Sequence, residues 1–219
     1  MPDAISIGAI PDHMQISNIS DIRLLFDGFD RADAADLNGA TIPKSIGSAT
    51  WSAVVGAFDN FSNGARDADT PAAVSVLATT GIGANVQILC SRMTVNDNLA
   101  SLIFRFSDSD NYWIAGPAPF ALGWYMYKNV GGVFTQIASA SDSDTPAAGD
   151  TIINYEIRCS TIDIVVYEDG IERLRSTGDS FNDGAEGVGF YTDPNLLSTA
   201  TSSLFDDITV TRLADGLTL

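Results

Sequence analysis

The sequence predicts an all-β protein built as an antiparallel β-sandwich, and three observations carry that expectation. Hydrophobic residues recur at every second position in run after run, the period that puts one row of side chains on a core and the next in water. Between Ile152 and Leu174 three such runs follow one another with no room for a helix, which makes an antiparallel meander. One link of that meander, Glu168-Asp169-Gly170, carries the Asp-Gly pair whose positive φ angles a tight hairpin turn needs.

Composition sets the outer limits. A chain of 219 residues suits one large all-β domain, and 45% hydrophobic against 18% charged residues describes a globular chain rather than a disordered one. Eleven Lys and Arg face 28 Asp and Glu, a formal charge of -17. Phosphate contacts need a basic face, so no nucleic-acid partner is expected, nor adhesion to an anionic membrane. The acidity reads first as solubility and second as calcium binding or life in a salty medium. No run approaches the roughly 18 apolar residues of a membrane-spanning helix. Met1-Pro2-Asp3-Ala4 lacks the basic flank and apolar run of a secretory signal, so any export is expected by another route. Cys90 and Cys159 are too few for a disulfide scaffold and wrongly spaced for a metal site; they form a single bridge only if their strands meet, and are otherwise free buried thiols.

In chain order, residues 1–25 stand apart as an amino-terminal arm ahead of a sandwich spanning 26–219. Ile5, Ile7, Ile10, Met14, Ile16, Ile19 and Ile22 recur there without one period, so this apolar segment needs a cover. It either packs on its own domain or docks on another subunit or assembly. Val74–Leu77 reads as a short strand, and Asn85–Val95 as a strand apolar on both faces, as in the middle of a sandwich. Leu102, Phe104 and Phe106 alternate with Ile103, Arg105 and Ser107, and Asp108-Ser109-Asp110-Asn111 turns the chain into Tyr112-Trp113-Ile114. Pro117 and Pro119 interrupt pairing, so 116–120 is expected as a loop or an edge. Leu122–Val130 and Val133–Ala138 flank the Gly131-Gly132 turn, and Ser139–Asp150 reads as a surface loop. In the meander, Ile153, Tyr155 and Ile157 are expected to face the core, followed by Ile162, Ile164 and Val166. Two further strands follow, around Gly187–Tyr191 and Leu204–Val210.

Several of these segments are similar, in order, to motifs of one family. Phe26-Asp27-Gly28-Phe29-Asp30-Arg31-Ala32-Asp33, with Trp51 after it, resembles the opening of the concanavalin A-like (laminin-G-like) jelly-roll domains. Phe104 to Ala115 resembles their central hairpin, Gly187–Tyr191 a later strand, and Leu204–Val210 their closing strand. The resemblance covers roughly residues 26–213. It implies a jelly roll of the kind found in bacterial surface proteins and tailed-phage virions. It also implies that an Asp of the opening motif and one of the closing motif approach one another. Asp30 and Asp207, with Asp27 and Asp206 beside them, are thereby candidate calcium ligands, the alternative being carboxylates that cap turns or face solvent; no other cofactor is expected.

Candidate chemistry narrows quickly. Glycosidases of this family carry Glu-x-Asp-x-x-Glu on one strand, and Glu168-Asp169-Gly170-Ile171-Glu172 does not fit it. His13 is the only histidine and lies in the arm, which leaves no Ser-His-Asp arrangement and no ordinary zinc site. Tyr112, Trp113, Trp124, Tyr125 and Tyr127 are candidates for stacking on sugar rings, with Trp124 on the opposite strand face from Tyr125 and Tyr127. The expectation that follows is a non-enzymatic virion surface protein, a head decoration or tail-fibre module. Its arm would anchor it to other virion proteins, it would form a homo-oligomer, and its sandwich would either bind host polysaccharide or only stabilise or decorate the particle. The alternatives are a carbohydrate-binding module of a bacterial extracellular protein and a divergent glycoside hydrolase.

Overall fold

The computed structural model describes residues 23–32, 36–45, 48–62, 64–67, 75–81, 85–96, 99–121, 123–141, 145–193 and 203–213. In chain order the strands are β1 (Arg23–Asp27), β2 (Lys44–Ser45), β3 (Ser52–Val55), β4 (Phe58–Phe61), β5 (Gly64–Asp67), β6 (Ser75–Thr79), β7 (Val86–Thr94) and β8 (Leu99–Asp108). They continue with β9 (Asn111–Ala118), β10 (Gly123–Val130), β11 (Val133–Ser141), β12 (Thr151–Cys159), β13 (Ile164–Glu168), β14 (Ile171–Ser176), β15 (Gly187–Asp193) and β16 (Leu204–Arg212). A 3-10 turn at Pro119–Ala121 is the helical element among the described residues, and no described helix is long and apolar enough to cross a membrane.

Two antiparallel sheets face each other. One has nine strands, ordered β14-β13-β12-β7-β16-β1-β2 with β5 and β4 attached beside β16; the other has seven, ordered β11-β10-β9-β8-β15-β6-β3. Strands far apart in sequence are neighbours in both, as in a jelly roll. The terminal strands pair in the nine-stranded sheet, with Arg23 opposite Thr211 and Asp27 opposite Ile208. Between the sheets lies one core of Ile88, Cys90, Tyr155, Ile157, Ile208 and Val210 from the larger sheet and Leu102, Phe104, Trp113, Trp124, Met126 and Phe190 from the smaller. Each large apolar side chain so buried contributes about 1.5–3 kcal/mol. The Tyr155 hydroxyl, buried in that core, donates to the Ala115 carbonyl at 2.7 Å and so ties β12 to β9 across the sandwich.

The predicted meander is present as β12, β13 and β14, and its Asp169-Gly170 turn has both φ angles positive, 48° and 77°. Three expectations are corrected. Arg23, Leu24 and Leu25, counted with the arm, belong to β1, and both leucines are buried in the core; residues 1–22, His13 included, lie outside the described residues. Ile152, not Ile153, faces the core, because Asn154 adopts a φ of 51° and slips the alternation by one residue; Ile162, in the turn before β13, is likewise exposed. Arg105 does the same at 49°, so Phe104 packs between the sheets and Phe106 on the outer face of the smaller one. The segment expected as a loop or an edge, 116–120, is both: pairing with β8 ends at Ala115 while pairing with β10 runs to Ala118, so Pro117 sits at a local edge, where a strand tolerates it, and the 3-10 turn at Pro119–Ala121 follows.

Candidate functional site

In the acidic opening motif one carboxylate is held by several partners. Asp27 is fully buried, and its Oδ1 accepts from the Phe29 amide at 2.9 Å and from Arg31 Nη1 at 2.8 Å. Its Oδ2 accepts from Arg31 Nη2 and from the Trp51 indole N–H, both at 2.8 Å. Asp206 pairs with Arg92 at 2.7 Å. Burial and the neighbouring Asp207 push the Asp206 carboxyl above the usual range, against the pull of Arg92. Asp30 and Asp207 do converge, as the pairing of the terminal strands requires: a Cβ built on Gly28 would lie 3.0 Å from Asp207 Oδ1 and 3.6 Å from Asp30 Oδ2. Calcium takes six to eight oxygens. With Asp27 and Asp206 committed to cationic side chains, the four expected ligands do not form one set. Among the described residues no group of three or more His, Cys, Asp and Glu is placed to hold a metal.

The two tryptophans expected at a sugar site are in the core. Trp113 and Trp124 are both 0% exposed. Trp113 donates its indole N–H to the Phe181 carbonyl at 2.9 Å and has the cations of Arg105 and Lys128 each 5.8 Å from its ring. Trp124 packs on Tyr155 with ring centroids 5.7 Å apart. Neither offers a face to a ligand. Strand alternation explains the correction, since residues 113 and 124 fall on the inward rows of β9 and β10.

The outward rows of the same strands build a cleft. Tyr125 and Tyr127 project from the outer face of β10, their rings stacked with centroids 6.1 Å apart and planes at 14°. The sheet curls so far that Phe134, on the edge strand β11, meets Tyr191 of β15 at 5.9 Å, although three strands lie between them. Phe134 also stands edge-on to Tyr127, at 84°. These rings line a cavity of about 440 Å³, together with Leu99, Ile114 and Asp193 among others. Tyr112, buried beneath Phe134, is a supporting wall rather than a ligand platform. Burial raises the Tyr191 and Tyr127 hydroxyls above their ordinary range, and the negative charge of Asp193 adds to both shifts.

Of the sugar-site residues the sequence offered, the structure thus brings Tyr125 and Tyr127 to one surface cleft. Phe134, Tyr191 and Asp193 were not anticipated. Alternation about the buried Phe190 puts Tyr191 and Asp193 on successive outward positions, but nothing in the spacing says that β11 folds over toward β15.

The sequence matches no family model, and no curated protein matches it. Solved structures do. The carbohydrate-binding module CBM66 from Bacillus subtilis superposes with a TM-score of 0.61 at 15% identity, covering 74% of this chain and 94% of that one. β-Agarase A, solved with oligoagarose, gives a TM-score of 0.60 at 12% identity, covering 87% of this chain and 91% of that one. Domain 4 of AbnA, an extracellular GH43 arabinanase from Geobacillus stearothermophilus solved with arabinotriose, gives 0.53 at 12% identity, covering 89% and 94%.

The chain has the concanavalin A-like jelly-roll fold. Within this jelly roll the cleft opens on the outer face of the smaller sheet, opposite the inter-sheet core. Asp193 is the carboxylate among the described residues that line it. Glu168, weighed from sequence as part of a glycosidase pattern, belongs to the nine-stranded sheet and is ion-paired with Arg173 at 2.6 Å.

Proposed function

We propose that this protein is a non-enzymatic carbohydrate-binding β-sandwich that works outside the cell, with the aromatic cleft as its glycan site. The observation that carries this reading is the lining of the cleft. Tyr125, Tyr127, Phe134 and Tyr191 line a cavity of about 440 Å³, within the range of small-ligand sites, together with Asp193. Aromatic rings accept the C–H faces of a sugar while tyrosine hydroxyls and a carboxylate take its hydroxyls. Hydrolysis of a glycosidic bond ordinarily needs two carboxylates flanking it, and the described lining supplies Asp193. That favours holding a glycan over cleaving one. The sharing of this fold with a carbohydrate-binding module and with glycan-bound hydrolases supports the class of ligand.

The resemblance in sequence extends the reading to a module displayed on a virion or on a bacterial surface protein. In that setting residues 1–22 are the anchor and the site of oligomerisation.

A glycan array followed by calorimetry on the hits tests the proposal. Tyr127→Ala and Phe134→Ala are expected to weaken binding by roughly tenfold or more. Failure of the full chain to bind any glycan, or binding unchanged in both variants, overturns it. Turnover of a bound oligosaccharide overturns the non-enzymatic part alone.

A further inference from the structure

We propose that the cleft selects a sugar bearing a free, protonated amine over its acetylated or neutral counterpart; this rests on the cleft being the glycan site. The geometry is that of a cage rather than a flat platform. Tyr125 and Tyr127 form one wall with near-parallel rings, and Phe134 abuts that wall edge-on, at 84° to Tyr127 and 60° to Tyr191, so the rings lining the cavity do not share one plane. An extended neutral chain is served by rings laid side by side along one plane. Rings set in different planes around a compact cavity instead surround a point, and their negative faces attract a cation placed there. Asp193, on the same outer row of β15 as Tyr191, adds a carboxylate to the lining.

The charge of the whole molecule acts in the same direction. With a formal charge of -17 the protein repels uronates and sulfated glycans and draws cationic ligands toward its surface. Long-range attraction alone would not discriminate by site, whereas the cage does. A primary ammonium on the ring fits both parts: the aromatic faces take the cation together with the sugar's C–H surface, and the carboxylate accepts one of its N–H bonds. An N-acetyl group removes the charge, and a hydroxyl never carries it.

The test is calorimetry on the full chain with three two-ring ligands in mildly acidic buffer, where the sugar amine is protonated. These are a glucosamine dimer, its N-acetylated counterpart and cellobiose. The glucosamine dimer is expected to bind roughly tenfold tighter than either of the others, the worth of one desolvated cation in an aromatic site. Asp193→Asn and, separately, Phe134→Ala should each remove most of that preference. Phe134 is 42% exposed, so the second variant removes a cage wall without emptying the core. Equal binding of the three dimers overturns the inference, as does a preference that survives both variants, since that is general attraction to an acidic surface. Either result leaves the cleft standing as a glycan site if another sugar binds there and Tyr127→Ala abolishes it. Absence of binding to these and to every arrayed glycan overturns the underlying reading as well.

Discussion

The indole N–H of Trp51 donates to Asp27 Oδ2 at 2.8 Å, joining two residues 24 positions apart inside the core. Arg31 closes the same carboxylate from the other side with two bonds of 2.8 Å and lies over the Phe29 ring at 5.7 Å. The opening motif is therefore a fastening between β1 and the segment that leads into β3. Its order of residues is set by that geometry: acid, aromatic and base at alternate positions, then a distant tryptophan.

Asp27→Ala strands a partly buried guanidinium and a buried indole N–H. Removing one partner of a buried ion pair costs about 3–5 kcal/mol. Urea denaturation should show a loss of that size. Trp51→Phe, which keeps the ring and the ion pair, should lose less. Equal losses would mean that packing, not the carboxylate, holds the motif together.

Arg105 is 2% exposed, and its guanidinium donates to four backbone carbonyls: Asp179 at 3.0 Å, Phe181 at 3.4 Å, Ser160 at 2.6 Å and Thr161 at 3.0 Å. It pins two loops to the end of the sandwich. Arg105→Met leaves these carbonyls without their donor, at about 1–3 kcal/mol for each that stays buried and unpaired, and should speed amide exchange in residues 177–186 before it affects the sheets. Slow, unchanged exchange there would refute the pinning role.

Trp113→Ala and Trp124→Ala act through the core. Each should lower stability by about 3–5 kcal/mol. Neither should alter glycan affinity in the fraction that stays folded, in contrast to Tyr127→Ala. Selective loss of binding with stability intact would return these residues to the surface.

Burial pushes both thiols, Cys90 and Cys159, from 9.0 up to about 12. Between those pH values the unfolded chain has released protons that the native protein still holds, so stability falls as pH rises through the window. The slope is about 1.4 kcal/mol per thiol for each pH unit. The double variant Cys90→Ala, Cys159→Ala should flatten that alkaline limb relative to the unmodified protein. The native thiols should also react with disulfide reagents only as fast as the chain opens; prompt reaction would contradict their burial.

Much of the sandwich was legible because a sheet writes its faces into the chain at period two, and the Asp169-Gly170 and Gly131-Gly132 turns mark their hairpins by residue type. Legibility stopped at Asn154 and Arg105. Both take left-handed backbone angles inside strands, which asparagine tolerates better than most residues but which alternation alone does not mark, and each shifts the side chains after it to the opposite face. It stopped again at the cleft. Alternation correctly separated Trp124 from Tyr125 and Tyr127, but which row faces the partner sheet depends on the other layer. The meeting of Phe134 with Tyr191 comes from curvature, which no single strand encodes.

Arg23 and Thr211 stand opposite one another on paired strands, so the first and last described strands of the sandwich lie side by side. A short flexible linker could join these two points at little entropic cost, and the chain could be reopened in an exposed turn such as 109–110 or 131–132. The sandwich is thus suited to being strung between neighbours without stretching them apart, a pendant bead whose cleft looks outward wherever it is threaded.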